Sequence, residues 1–521
     1  MDSQNASGRL GLPATFLRTR TIEGGLPSPT LLTLPNTVLD ISAGGWSFHA
    51  ITTANVQVWG TMDGEDFAPP GDLALPGAVV GEPIILPGSE GLDIVSLKAG
   101  RKHAIALNSD SQVYEYYSFG GIYQVRSQSW GNEMVAAVEA GWGHSAVLTS
   151  SGNVFIWSEF DVADITPRSG ALPIVTTDTT RLPTAPRSPT TSQADKFTKI
   201  ACGVNFIVAL TQQSHVYYLD ISPIDPVGRM AAARTARLEA AFVSGERSWI
   251  FLERFCDVPM IQALPEFDAI TISPAARITH ISAHFHSFAA YSVPLDSKSS
   301  SIVLLGDDHD VTAEKAPQVI PELQGIGVIK IVQGDYSFGA LTSDGRLRTW
   351  GQYSGGALGL GHPSLLNTPL THPSLRSPAP TPPVQSSSQS NLFPLPQITP
   401  RLPIAPVIHY RSPDSVAKPT VVLFGKEPSP IEGNAAEPEN RTSGKFVVSA
   451  TMSGFHTAAI AVELGEREDG EEVVPEEVPE AAESTGGLRT GIFPTMRGGR
   501  LPFRLGYAAR GMHRGPGDGG L

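Results

Sequence analysis

Apolar residues in this chain fall in pairs of short runs rather than in long amphipathic stretches. From Val138 to Trp157 the order is Val-Glu-Ala-Gly-Trp-Gly-His-Ser-Ala-Val-Leu-Thr, then Ser150-Ser151-Gly152-Asn153, then Val-Phe-Ile-Trp. This pattern predicts a strand, a tight turn and a returning strand, with Val147, Val154 and Phe155 supplying the β-branched and aromatic content that pleated surfaces favour. Apolar side chains fall on both faces, as in strands covered on both sides.

The stretch recurs. Its landmarks return at Ile41–Gly60, Leu97–Tyr116, Ile200–Leu219 and Ile331–Gly351, more weakly from Ile281, and last near Val447. With the first stretch that makes seven copies, two of them degenerate. One copy cannot bury its own apolar faces, so neighbours must stack; short strands with little helix between them favour a radial array, a propeller. Gly44, Gly100, Gly141, Gly203, Gly334 and Gly454 mark a sharp entry where a side chain would clash. The His, Ser or Phe three residues later reads either as a ligand or as a blade position bonding a neighbouring turn. Its changing identity favours the structural reading.

The units resemble regulator-of-chromosome-condensation repeats. Thr349-Trp350-Gly351-Gln352-Tyr353-Ser354-Gly355-Gly356-Ala357-Leu358-Gly359-Leu360-Gly361 follows the Trp-Gly strand end and Gly-rich turn of that repeat. The resemblance covers most of residues 9–465. It implies an all-β fold, a seven-bladed β-propeller, to which composition adds a disordered Pro-rich insert and a charged C-terminal tail.

Composition narrows the function. The net charge of −14 argues against general nucleic-acid binding, which needs clustered Lys and Arg. Two cysteines, Cys202 and Cys256, in 521 residues fit a reducing compartment with no disulfide framework. Cys202 stands where other copies carry Ala, and so reads as a small buried residue. The absence of a long apolar run or signal peptide predicts a soluble intracellular protein, cytoplasmic or nuclear, with no membrane partner. The sequons at Asn5 and Asn440 would then be inert.

The expected organisation is an N-terminal tail (1–8), the propeller (9–465), an acidic linker (466–487) and an Arg/Gly-rich tail (488–521). Residues 228–247 read as a helical insertion, with Met230, Ala233, Leu238, Ala241 and Phe242 at helical spacing. Residues 363–420, rich in Pro and Ser, read as a disordered loop. Within it Ser377, Thr381 and Ser412 precede prolines, as phosphate acceptors or plain linker residues. In the tail, Leu501–Tyr507 reads as a closing strand or a docking peptide; RNA binding by its Arg/Gly content is the minor alternative. Ser7-Gly8-Arg9-Leu10-Gly11-Leu12-Pro13 looks like the end of a repeat with no strand before it.

No motif supplies chemistry. Gly356–Gly361 has the wrong order for a dinucleotide loop, and Ser443-Gly444-Lys445 lacks the glycine and hydroxyl of a phosphate loop. His284 and His286 alternate as on one strand face, and His309 follows two aspartates, but a metal would need a further ligand. No catalytic, cofactor-binding or metal residue is assigned, and no cofactor is expected. The reading is a non-enzymatic protein-recognition platform. Within the resembled family the pattern is closest to fungal SCF-associated F-box proteins, in which an F-box docks an adaptor and cullin while the propeller captures a protein substrate for degradation. This chain shows no F-box, so that docking needs one upstream of Met1. The alternatives are nucleotide exchange on a small GTPase, or a scaffold with no ligase link. Trp46, Arg101, Trp142, Asp335 and Tyr336, just after the turns, are the candidate partner contacts. For Trp46 and Trp142, packing between blades is the competing role.

Overall fold

A computed structural model of the chain describes residues 10–12, 26, 28–63, 72–75, 77–158, 172–187, 195–222, 231–268, 270–293, 301–352, 356–361, 415–424, 445–454 and 456–463. The chain divides into two units, Met1–Glu466 and Arg467–Leu521. The second lies outside the described residues, and with it the expected acidic linker and Arg/Gly tail.

The first blade is an antiparallel sheet of β1 (Val38–Ala43), β2 (Ser47–Thr52), β3 (Val56–Gly60) and β4 (Val80–Ile85). The second begins with β5 (Ile94–Ala99), β6 (Ala104–Asn108), β7 (Val113–Tyr116) and β8 (Tyr123–Arg126). The third begins with β9 (Val135–Ala140), β10 (His144–Thr149) and β11 (Val154–Ser158). The chain then steps back. β12 (Ile174–Thr176) joins the second blade parallel to β8, and β13 (Thr180–Arg181) returns to complete the third against β11.

The fourth blade is β14 (Phe197–Cys202), β15 (Phe206–Thr211), β16 (Val216–Asp220) and β17 (Ile250–Phe251). Helix α1 (Ala231–Ser244) lies between β16 and β17, inside the expected 228–247 insertion, and ends at Gly245 with φ +76°. Its Leu238 and Phe242 pack against the core around Trp249. A short helix α2 (Val258–Gln262) follows. The fifth blade has β18 (His280–His284), β19 (Ser287–Tyr291) and β20 (Val303–Asp307). The sixth has β21 (Val328–Gln333), β22 (Ser337–Thr342), β23 (Leu347–Gln352) and β24 (Ser415–Val421). Among the described residues the last repeat is only a hairpin, β25 (Lys445–Ser453) and β26 (His456–Glu463).

This corrects the expected seven blades: the propeller has six. Among the described residues the seventh copy has two strands, which bridge the sixth and first blades. Lys330 Nζ donates to Ser449 Oγ at 3.1 Å, Ser449 Oγ donates to Asp40 Oδ1 at 3.0 Å, and the Ala43 amide donates to Thr451 Oγ1 at 3.0 Å. A second correction concerns the insert of 363–420. Its last residues belong to β24, where Val416, Thr420 and Val421 suit a strand, and Pro419 is tolerated because β24 is the blade's outer edge.

The cores lie between blades. Phe48, Trp59 and Tyr116 share one cluster between the first and second blades; Phe206, Tyr218 and Phe288 share another between the fourth and fifth. Hence β2, β6, β10 and β15 are buried along their whole length, which explains apolar residues on both faces. Glu115 is also buried there. It accepts from Tyr117 Oη (3.1 Å), Tyr123 Oη (3.2 Å), Trp157 Nε1 (3.1 Å) and Ser145 Oγ, pinning the second blade to the third.

Candidate partner-binding rim

The recurring glycines stand where each first strand turns into the second. The amides of Gly44, Gly100, Gly141, Gly203 and Gly334 each donate to the carbonyl three residues on, at 2.8–2.9 Å. The side chain three residues on tucks beneath the turn: a Cβ on Gly203 would lie 2.0 Å from the Phe206 ring, and one on Gly141 2.1 Å from His144. Glycine is therefore required for close approach. His103, His144, Phe206 and Ser337 at this position are buried, in agreement with the structural reading.

The turn tips are chained from blade to blade. The Gly45 amide donates to the Gly100 carbonyl (3.2 Å), Trp142 to Gly203 (3.1 Å), Val204 to Phe285 (2.8 Å) and Asp335 to Gly454 (3.3 Å). The Trp-Gly ending of a repeat supports the tip from below. At Gly351, φ is +102° and a Cβ would meet the Tyr336 carbonyl at 2.5 Å, while the Gln352 amide donates to that carbonyl at 2.8 Å.

The tips bring the five sequence-predicted contact residues onto one rim. The Arg101 guanidinium lies 4.8 Å from the centre of the Trp46 ring and 4.6 Å from that of Trp142, held between two indoles from the flanking blades. Trp142 packs on Phe285 at 4.7 Å, and Phe285 meets Tyr336 edge-on at 5.8 Å. His284 Nε2 lies 3.1 Å from Asp335 Oδ1 and 3.3 Å from Ser453 Oγ, which carries the arc across to the hairpin. Tyr336 is 41 % exposed; Trp46, Arg101, Trp142 and Asp335 are half-buried. Of the two roles weighed for the tryptophans, packing is visible: Trp46 and Trp142 both contact Arg101 of the second blade, and both stay half-buried at the rim.

His284 and Phe285 were not singled out from sequence as contacts. Their signal was the fifth copy's missing glycine: a turn without it places an imidazole and a phenyl at the tip, Phe285 having φ +50°. That turn also separates the histidines expected on one strand face. β18 ends at His284, whereas His286 Nδ1 faces Asp308 Oδ2 at 2.7 Å. Among the described residues no group of three or more His, Cys, Asp or Glu is placed to hold a metal ion. No helix among them is long and apolar enough to cross a membrane.

Fold and rim together define an all-β propeller of repeated units that presents a chained set of turn tips. Residues 135–159, which are β9–β11 with their turns, match the family described as the regulator of chromosome condensation (RCC1) repeat. Among solved structures, human WBSCR16 aligns over 88 % of this chain and 96 % of its own, at 14 % identity and a TM-score of 0.48. Prp20p from Saccharomyces cerevisiae aligns over 89 % and 90 %, at 13 % identity and a TM-score of 0.49.

Proposed function

We propose that the protein is a non-enzymatic recognition platform whose turn-tip rim binds a protein partner. The observation that carries this is Arg101 fixed between Trp46 and Trp142, in line with Phe285 and Tyr336. Trp, Tyr and Arg are the usual anchors of protein interfaces, and a guanidinium already stacked between rings loses little side-chain freedom when a partner arrives. Each cation–π contact contributes about 0.5–1 kcal/mol at such exposure. The finer reading, taken from the family resemblance, is substrate capture for a ubiquitin ligase, with an F-box-binding adaptor and a cullin as further partners.

The test is affinity purification of the tagged chain beside Arg101→Ala and Trp142→Ala, with mass spectrometry of what each retains. Proteins held by the wild type and lost by both variants, while the variants stay folded, support the rim as the contact surface. Equal recovery by all three overturns it. The adaptor and cullin among proteins held by an upstream-extended form support the ligase reading; nucleotide release from a purified nuclear GTPase, sensitive to the same variants, would instead favour exchange.

A further inference from the structure

The ring axis carries charged side chains at two levels. Two residues before the turn glycines stand Lys98 and Glu139, and Lys98 Nζ meets Glu139 Oε1 at 3.0 Å. Four residues before the turn position, in register through the same first-to-second-strand pairing, stand Asp40, Ser96, Ala137, Lys199, His280 and Lys330. Lys199, His280 and Lys330 therefore occupy one level on three consecutive blades. Charges act across the axis: burial lowers the pKa of both Lys199 and Lys330, and the Lys98 ammonium lowers both further, whereas the Asp40 and Glu139 carboxylates oppose the fall at Lys330 only. Burial, with Lys199 adding to it, brings His280 down to about 4, so its ring is neutral at pH 7.

The charges do not balance. Lys98 is paired with Glu139, while Lys330 reaches Asp40 through Ser449. Among the described residues the Lys199 ammonium has neither an ion pair nor a hydrogen-bond acceptor, and the charge acting on it is a second ammonium, that of Lys98. Three ammonium groups thus face two carboxylates, a local cationic surplus in a chain of net charge −14. The adjoining level is open to water, since the Lys98 side chain stays 44 % exposed, and Lys199 itself is half-buried. A half-buried ammonium without a counter-charge is costly.

We propose that the axis of the propeller binds a small oxyanion at Lys199, beside His280 and Lys330. The site is distinct from the rim and does not depend on the rim's partner. The ligand chemistry is a phosphate or carboxylate group, which would complete the ring of charges and hydrogen-bond the ammonium that lacks an acceptor.

The test is titration calorimetry of the full chain with inorganic phosphate and, separately, with acetate, at fixed ionic strength. Lys199→Gln, Lys199→Arg and Lys330→Gln are run beside the wild type, with Lys196→Gln, on the exposed turn before β14, as the control. The expected result is saturable binding of one anion by the wild type, by Lys199→Arg and by the control, weakened at least tenfold in the two glutamine variants at the axis. The tighter anion tells a phosphoryl from a carboxylate ligand. No saturable binding of either anion, or equal affinity after Lys199→Gln, overturns the proposal. Should Lys199→Gln not fold, Lys330→Gln against the control decides in the same way.

Discussion

The guanidinium carbon of Arg101, on the second blade, lies 4.6 Å from the centre of the Trp142 indole on the third and 4.8 Å from that of Trp46 on the first. Three blades thus contribute to one stacked unit. Removing Arg101 leaves two indoles without the group between them, and removing either indole frees one face of the cation. A double-mutant cycle of Arg101→Ala with Trp142→Ala is expected to show coupling of about 0.5–1 kcal/mol in thermal stability. On partner binding each single variant should cost tenfold or more. Lys in place of Arg101 should recover little, because an ammonium cannot stack flat between two rings.

The turn glycines make a steric prediction. Gly203→Ala puts a methyl carbon 2.0 Å from the buried Phe206 ring and should destabilise the protein by about 2–3 kcal/mol in urea unfolding. Gly143→Ala, at a turn with open space around it, should change stability by less than about 0.5 kcal/mol.

His103 occupies the same position beneath its turn as Phe206. Burial brings its pKa from 6.5 down to about 4, and burial takes His49 down to about 3. A histidine with a lowered folded pKa stabilises fully above 6.5, and that contribution is lost as pH falls toward the folded value. For His103 the loss is about 3 kcal/mol at most. His103→Phe, which reproduces the fourth blade's choice, should flatten the fall in urea midpoint between pH 6.5 and 4 relative to wild type.

Glu115 makes the opposite prediction. Burial raises its pKa above 4.5, against the pull of its four hydrogen-bond donors. Its contribution is full below the unfolded value and lost as pH rises through the folded one. Any stability advantage of wild type over Glu115→Gln should therefore shrink as pH rises above 4.5 in urea titrations. Glu115→Leu, which leaves four donors unmatched between two blades, should cost about 3 kcal/mol.

The repeats, their strand-turn-strand order and the glycine at each turn were legible because all three are local: a strand pattern, a tight tip and a side chain three residues on. The rim position of the five candidate residues was legible for the same reason, as they follow that glycine. Gly11 and Gly359, at the centre of the two Leu-Gly-Leu endings, even share a positive φ, +67° and +66°. The blade number was not legible. A repeat announces itself by its first two strands, and whether outer strands follow depends on chain elsewhere; β24 arrives after a long insert, whereas the described part of the last copy ends at β26. Phe285, and the rim position of His284, were not legible because the fifth copy lacks the glycine that marks the turn in the other copies. The axial lysines escaped too, since a Lys in a first strand looks the same whether it faces bulk water or the ring centre.

The backward step of the chain at β12 has a consequence for how the ring assembles. Because β12 follows the third blade's hairpin yet pairs with β8 of the second, the second blade cannot acquire its outermost strand until β9–β11 have been made. Ser127 Oγ and Thr179 Oγ1, 2.9 Å apart, tie this link at its end. The second and third blades should therefore open and close as one cooperative block, protected together in native-state hydrogen exchange. The hairpin seam between the sixth and first blades, joined by strands far apart in sequence, is where the ring should part first.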